Sequence, residues 1–347
     1  MRSRMAIGSK PGRTDVKEQG RRISAGIRVK VYNGKNMLLF DTPRYIEQLG
    51  WLGRRAALPE GSALLRQFDD LRWDARGSWP YQSLPSIKQL QALRYLPGFS
   101  PLTFTSVIRP DADPVASRKA LEEMGNHFNI EFRPLKAHLA HDPGLPPARD
   151  GYSRRTRNRL KHAEDVFFVE REALLSEHEV MSSWQCRLKK LRSITDSSAP
   201  DPRHFAGLIA AFRERTESNA CVALRWRNSG ALAGVFLFFS DLAGQSWHAH
   251  SFLLDDSALP DFGSYLLFDK AVKLLGDRML WFGGAPAGAN GNGVFTFKRR
   301  FANCTGQAHI LSVDLNDAEL TKIRSSHKTF PWLPNYRAPE QTAREPG

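Results

Sequence analysis

Three features that would point to a familiar catalytic site are missing from this 347-residue chain. Its three cysteines, Cys186, Cys221 and Cys304, lie far apart and include no Cys-x-x-Cys pair, so the sequence predicts neither a zinc site nor a disulfide framework. The chain also has no P-loop and no Gly-x-Ser-x-Gly elbow that would present a serine nucleophile. We therefore expect three idle thiols, no metal site and no covalent enzyme intermediate.

Long apolar runs are missing as well. The longest candidate, ALAGVFLFF at residues 231–239, has the length of one strand, about half of the roughly 18 residues that a membrane-spanning helix needs. The N-terminus has no apolar core of the secretory type. The sequence therefore predicts no membrane span and a cytoplasmic location, and an apolar fraction of 41% is typical of a folded protein.

The net charge of +14 invites a nucleic-acid interpretation. However, residues 1–35 carry +8 of this charge and residues 322–347 carry +3, so the long segment between them is only mildly basic. We expect the basic N-terminal segment to be a disordered tail. Such a tail fits either a contact with RNA or an anionic surface, or a simple solvated extension.

The chain between the tails divides into two units. In the first, SPLTFTSVI and NIEFRPLKAHL are predicted strands on either side of a helix, DPVASRKALEEMGNHF. A hairpin at residues 27–40, a helix from Thr42 and a helix from Gly61 to Leu71 are predicted before them. The proline- and glycine-rich segment 141–151 is the best linker candidate. The predicted divisions are a tail at 1–27, a domain at 28–138, a second domain at 139–315 and a tail at 316–347.

The second unit has the clearer pattern. Ser153 is placed to cap a helix on which Arg155 and Arg159 are four positions apart and share one face. A strand, DVFFVEREA, two amphipathic helices at residues 174–194 and 202–218, and three strands within 221–254 follow. The loop DDSALPDFG, the helix SYLLFDKAVKLLG and the strand RMLWFGG complete the unit. This order is more specific than any single motif in the chain.

This order and four motifs resemble the GNAT acyltransferase superfamily, and within it the FemAB-like and BioF-like acetyltransferase branch, in which two GNAT-type domains are fused. The motifs are SRRTRNRLKHAE, ALAGVFLFFSDLAGQSWHAHSFLL, DFGSYLLFDKAV and LWFGGAPAGANGNGVFTFKRRFAN. The resemblance is good over residues 139–312, whereas over 28–138 only the strand-helix-strand order is similar. It implies an α/β fold with a mixed, GNAT-like sheet flanked by helices, in two fused halves of which the first is reduced.

The resemblance also implies a reaction. The central strands of a GNAT domain separate and admit the carbonyl group of an acyl donor, which an amine attacks directly. The loop before the next helix binds phosphate, and Gly263 and Ser264 occupy that place in this chain. Two positions of the family's acyl-CoA loop differ, because Pro260 and Tyr265 replace its usual residues. This departure leaves two donors open, acyl-CoA and aminoacyl-tRNA, with an amine as the acceptor.

Both donors carry phosphates, and four basic residues suit either donor as electrostatic contacts. Lys298 matches the family's aromatic-lysine motif, which implies a contact with the substrate. The other three residues are Arg155, Arg159 and Arg299. Two further interpretations of the basic run that contains Arg155 and Arg159 stay open at this point, a solvated helix face and a clamp for RNA.

His248 and His250 are two positions apart on a predicted strand, hence on one face and near the expected acyl carbonyl. Either imidazole is a candidate to accept the proton of the attacking amine. Structural histidines on a half-buried strand are the alternative, and the chain offers no third ligand nearby for a metal. The glycine-rich stretch at residues 283–293 favours a mobile lid or a tight turn over a phosphate-binding loop.

The sequence thus predicts an N-acyltransferase of the GNAT or FemAB-like type. The alternative is a non-catalytic protein on the same scaffold that binds RNA, an anionic saccharide or a nucleotide-linked precursor, and a steep fall of affinity with salt would favour it. A structural role in an assembly complex is a third possibility. The donor, the acceptor amine and the oligomeric state are not determined by the sequence.

Overall fold

The structure is a computed structural model that describes ten ranges of residues: 54–58, 61–68, 71–77, 84–110, 114–172, 175–176, 178–179, 219–240, 245–284 and 293–326. The strands in these ranges are β1 (Arg54–Leu58), β2 (Gly61–Gln67), β3 (Trp73–Arg76), β4 (Pro101–Ile108), β5 (Ile130–His141), β6 (Phe167–Glu172), β7 (Asn219–Trp226), β8 (Leu232–Ser240), β9 (Ser246–Leu254), β10 (Met279–Gly284) and β11 (Cys304–Asp314). The α-helices are α1 (Ile87–Arg94), α2 (Pro114–Gly125), α3 (Arg154–Val166), α4 (Gly263–Leu275), α5 (Gly293–Arg299) and α6 (Asp317–Ser326).

All eleven described strands belong to one mixed sheet. Its order is β1-β2-β3-β4-β11-β5-β10-β9-β8-β7-β6, and the two parallel pairs are β3 with β4 and β10 with β9. The long strands β5 and β11 lie side by side near the middle and are antiparallel. β11 pairs with β4 through its other edge, so it joins the strands of the two halves into one sheet.

Each half of the sheet has its own apolar core. In the first half, α1 and α2 contribute Leu90, Leu93 and Met124, which pack with residues of β4 and β11. In the second half, α3 and α4 pack against β5 to β10, and the buried side chains include Leu160 and Phe268. The predicted domain boundary between residues 138 and 139 falls within β5, and the division into two domains stays a prediction.

Most of the predicted elements within the described residues are present. The strands predicted around the helix α2 are β4 and β5, and the three consecutive strands predicted in the second unit are β7, β8 and β9. Ser153 caps α3, because its Oγ accepts a hydrogen bond from the backbone N–H of Thr156 at 3.1 Å. A local cap predicts α3, and runs of strand-forming residues between turns predict the strands.

Two predictions are wrong. The helix predicted from Gly61 to Leu71 is instead the strand β2, which pairs with β1 on one edge and β3 on the other. Its consecutive apolar residues Ala63, Leu64 and Leu65 are all buried, and a strand covered on both faces lacks the alternation that distinguishes it from a helix. The predicted tail from residue 316 begins with α6, whose Leu320 and Ile323 are buried against Leu102.

Several predictions lie outside the described residues. These are the disordered N-terminal tail, the hairpin at residues 27–40, the helix from Thr42, the amphipathic helix at 202–218 and all but four residues of the amphipathic helix at 174–194. Most of the glycine-rich stretch, residues 285–292, lies outside as well. None of the described helices has the length and apolar character needed to cross a bilayer.

The thiol of Cys304 is expected to be unreactive in the folded protein. Burial raises its pKa to about 12, with a smaller contribution from the nearby carboxylate of Asp142. At pH 8 only about one thiol in 10,000 would then be the reactive thiolate. We expect iodoacetamide at pH 8 to modify Cys304 at least about 100-fold more slowly in the native protein than in urea, as measured by peptide mass spectrometry. Similar rates in the two states would contradict this burial.

Candidate active site

The parallel strands β9 and β10 separate at the centre of the second half of the sheet. They pair at only three positions, and the last pair joins His248 to Trp281. β9 continues to Leu254 and β10 to Gly284, without further pairing between them. A separation of this kind leaves main-chain polar groups available to a ligand or a side chain. The gap between the two strands lies where the sequence predicts the acyl carbonyl.

Lys298 reaches the β10 side of this gap. Its Nζ donates a hydrogen bond to the main-chain carbonyl of Phe282 at 2.7 Å, one residue beyond the last pair of β10 with β9. The side chain comes from the last turn of α5 and is partly buried. An ammonium group held beside the gap is positioned to stabilise negative charge that develops on a reacting carbonyl oxygen.

Two phenylalanines anchor the segment that carries Lys298. Phe297 and Phe301 are four residues apart, and their ring centroids lie 5.3 Å apart. The rings contact Phe268 of α4 at 5.0 Å and 5.3 Å respectively, and Phe301 is completely buried. Phe301 also meets the ring of Tyr152 at 5.8 Å. The aromatic residues of this motif thus point into the core, whereas the lysine between them points to β10.

A buried carboxylate of α4 lies near Tyr152, one of the residues of this aromatic cluster. Asp269 of α4 is 2% exposed and lies 3.8 Å from Nε of Arg149 and 3.6 Å from Nζ of Lys273. Burial, with a smaller contribution from the nearby carboxylate of Asp269, raises the pKa of Tyr152 above its usual value. The tyrosine therefore stays neutral and holds the start of α3 against α4.

An open groove of about 670 Å³ runs along the exposed face of α3 to the start of α4. Its cationic side chains are Arg154, Arg155 and Arg159, none of which forms an ion pair with a described carboxylate. The remaining lining residues are Asn158, His162 and Phe262. An electropositive groove of this composition suits a phosphate-bearing molecule.

The first residues of α4 are shaped by close packing. Phe262 adopts a left-handed backbone conformation with a φ of 59°, directly before the helix. A Cβ atom on Gly263 would lie 2.8 Å from Leu224 Cδ2 and 3.0 Å from the carbonyl oxygen of Ala258, so a larger residue would have to displace its neighbours. Ser264 is half-buried beside it. Binding of phosphate by Gly263 and Ser264 stays a prediction.

The two histidines lie at and just beyond the last pair of β9 with β10. His248 is 1% exposed, and its Nε2 lies 3.0 Å from the hydroxyl of Ser246. His250 is half-buried, and its Nδ1 lies 2.7 Å from the hydroxyl of Ser251. The role of either imidazole as a general base stays a prediction. Within the described residues, no group of three or more His, Cys, Asp and Glu side chains is arranged to hold a metal ion.

The predicted basic residues fall into three places. Arg155 and Arg159 line the groove, and Lys298 lies at the strand gap. Arg299 points elsewhere, with its guanidinium carbon 5.8 Å from the ring centroid of Phe295, and joins neither feature. Sequence reasoning missed Arg300, which donates a hydrogen bond to the hydroxyl of Tyr265 at 3.0 Å. The only sequence signal for this contact was a basic residue two positions after Lys298.

Gly306 of β11 packs against the ring of Trp281, so substitution of this glycine tests how tightly the centre of the sheet is packed. A Cβ atom on Gly306 would lie 2.5 Å and 2.8 Å from two atoms of the Trp281 ring, which is itself buried. We expect Gly306→Ala to lower the free energy of unfolding by about 1–3 kcal/mol, because the large ring has to move. Urea denaturation measures this change. A matched substitution at the exposed Gly151, where a Cβ meets no atom within 4 Å, is expected to be much milder.

The described fold is similar to two solved structures. The crystal structure of FemX has a TM-score of 0.59 and 12% sequence identity, and the match covers 83% of this chain and 95% of FemX. The structure of L-PGS from Bacillus licheniformis has a TM-score of 0.51 and 12% identity, and the match covers 84% and 97% of the two chains. No protein-family model and no curated protein matches the sequence. The mixed sheet flanked by helices that the sequence predicts is present, and its fold is similar to those of FemX and L-PGS.

Proposed function

We propose that this protein is an acyltransferase that moves an acyl or aminoacyl group from a thioester or a tRNA ester to an amine. One observation carries the proposal, namely that Lys298 lies at the point where β9 and β10 separate. A FemX-like fold supports it, and so does a groove whose arginines form no ion pair with a carboxylate of the described residues.

The reaction would need no covalent enzyme intermediate. The lone pair of the amine attacks the carbonyl carbon of the donor, and a C–N bond forms as the carbonyl oxygen becomes negative. Lys298 stabilises this oxygen electrostatically. The tetrahedral intermediate then collapses, the C–O or C–S bond breaks, and the leaving oxygen or sulfur takes up a proton. The amine nitrogen loses one proton, and His250 is the more accessible of the two candidate acceptors, since His248 is almost completely buried.

The groove on α3 would hold the phosphates of the donor or of the acceptor. Arg155 is exposed along it, and Arg159 is fixed by its contacts with Tyr265 and Phe262. Guanidinium groups bind phosphate oxygens through paired N–H donors, and both acyl-CoA and tRNA supply such oxygens.

A transfer assay tests the proposal and separates the two donors. The full chain is incubated with labelled acetyl-CoA or labelled aminoacyl-tRNA and a panel of primary amines, and acylated amine is detected by mass spectrometry. Formation of an amide with one donor supports the proposal and identifies the donor class. Absence of amide with both donors, combined with salt-sensitive binding of RNA that does not depend on the acyl group, would favour the non-catalytic binding protein instead.

A further inference from the structure

Two guanidinium groups from distant parts of the chain meet at one phenol oxygen. Oη of Tyr265 accepts hydrogen bonds from Nη1 of Arg159 on α3 and from Nη1 of Arg300, which follows α5. The guanidinium carbons also lie 4.9 Å and 5.7 Å from the centroid of the Tyr265 ring. Because the phenol carries no charge, it orients the two cations without neutralising them.

The positive charge at this point is not balanced by the described residues. Neither Arg159 nor Arg300 forms an ion pair with a described carboxylate. Asp261, which lies two residues before α4, is engaged with His162 at 2.9 Å. Like charges that share one hydrogen-bond acceptor repel each other, and a bound anion would remove this repulsion.

The donors that remain suit a tetrahedral anion. Each guanidinium has several N–H groups besides the one directed to Tyr265, and Tyr265 still has its own O–H to donate. Donors from three different directions fit the oxygens of a phosphate group. We infer that Arg159, Tyr265 and Arg300 form a phosphate-binding site, and that Arg300 couples the bound phosphate to the position of Lys298.

The coupling follows from the short segment that both residues share. Arg300 is two residues after Lys298, and the turn between them is closed by backbone hydrogen bonds from Arg300 to Phe297 at 3.2 Å and from Phe301 to Lys298 at 3.0 Å. A phosphate that holds Arg300 at the groove therefore also holds the turn that directs Lys298 to β10. The inference rests on the proposed function only for the identity of the substrate to which the phosphate belongs.

Calorimetric titration of the full chain with inorganic pyrophosphate tests the site directly. We expect Arg300→Gln and Arg159→Gln each to weaken binding by at least about tenfold, because each removes charge-assisted hydrogen bonds. Tyr265→Phe keeps the ring but loses the oxygen that aligns the two cations, and it is expected to weaken binding by about threefold to tenfold. The charge-matched control is Arg118→Gln on the exposed face of α2. We expect this variant to bind pyrophosphate with an affinity within about twofold of that of the unchanged protein. Equal affinities of Arg300→Gln and Arg118→Gln would overturn the site.

Hydrogen exchange tests the coupling to Lys298. Saturating pyrophosphate is expected to slow amide exchange in residues 293–303 of the unchanged protein, and to have no such effect in Arg300→Gln. Equal slowing in both proteins would overturn the coupling. Pyrophosphate binding as described without acyl transfer from either donor would contradict the proposed function but not this site. Transfer that depends on Lys298, with pyrophosphate binding unaffected by Arg300→Gln, would contradict the site but not the function.

Discussion

Replacing Lys298 with methionine is expected to lower kcat for acyl transfer by about 10²–10³-fold, the usual effect of removing one donor from an oxyanion site. Methionine has a similar length and keeps the apolar contacts of the lysine stem, whereas the ammonium group at the strand gap is lost. The hydrogen bond to Phe282 is lost too, and because its donor is charged this loss should cost about 1.5–3 kcal/mol of stability. Steady-state rates with the donor identified in the transfer assay, together with urea denaturation, measure both effects.

The control for this variant is Lys119→Met on α2, where the lysine is exposed and remote from the strand gap. It removes the same charge and is expected to leave kcat within about twofold. A kcat of Lys298→Met as high as that of the control would show that the lysine has only a structural role. A raised KM with unchanged kcat would mean that Lys298 binds the ground state and the transition state equally.

The second large effect is expected for Phe301→Ala. Phe301 is fully buried among Tyr152, Tyr265, Phe268 and Phe297, so its removal leaves a cavity beneath the segment that carries Lys298. We expect the free energy of unfolding to fall by about 3–5 kcal/mol. Because the same ring fixes this segment, transfer activity should also fall at temperatures at which the variant is still folded. Urea denaturation and the transfer assay measure the two consequences.

Leu274→Ala is the matched control for Phe301→Ala, since Leu274 lies on α4 and is 37% exposed. Its effect on unfolding is expected to be within about 1 kcal/mol. Equal destabilisation by the two substitutions would contradict the central place of the Phe301 ring in the second core. Loss of stability without loss of activity in the folded state would show that Lys298 is positioned by other contacts.

Sequence reasoning succeeded where local chemistry determines local structure. Ser153 predicts the start of α3 because a cap needs only the residues of the first turn, and apolar and polar residues alternate in the sequence of β4 from Leu102 to Thr105. It failed at β2, because Ala63, Leu64 and Leu65 are buried by neighbours on both faces. Such a run is equally compatible with a buried helix until its strand partners are known.

The candidate site also combines residues that a local motif indicates with residues that only the tertiary structure brings together. Lys298 was singled out by its match to the family's aromatic-lysine motif, and its ammonium group lies at the strand gap, whereas its role in a reaction stays a prediction. The meeting of Arg159 and Arg300 at Tyr265 was not predicted. The three residues come from α3, the segment after α5, and α4, so only the assembled sheet and its helices bring them together. Tyr265 was noted only as a departure from the family's loop, whereas the structure makes it the residue on which two arginines converge.

Locating the acyl group of a bound donor tests whether the reaction takes place at the gap between β9 and β10. A donor analogue with a photoreactive diazirine on its acyl chain would be bound to the full chain, irradiated and mapped by peptide mass spectrometry. We expect attachment within residues 249–254 of β9 or residues 282–284 of β10, the parts of these strands that have separated. Attachment confined to the arginine groove on α3, or to the first half of the sheet, would contradict it.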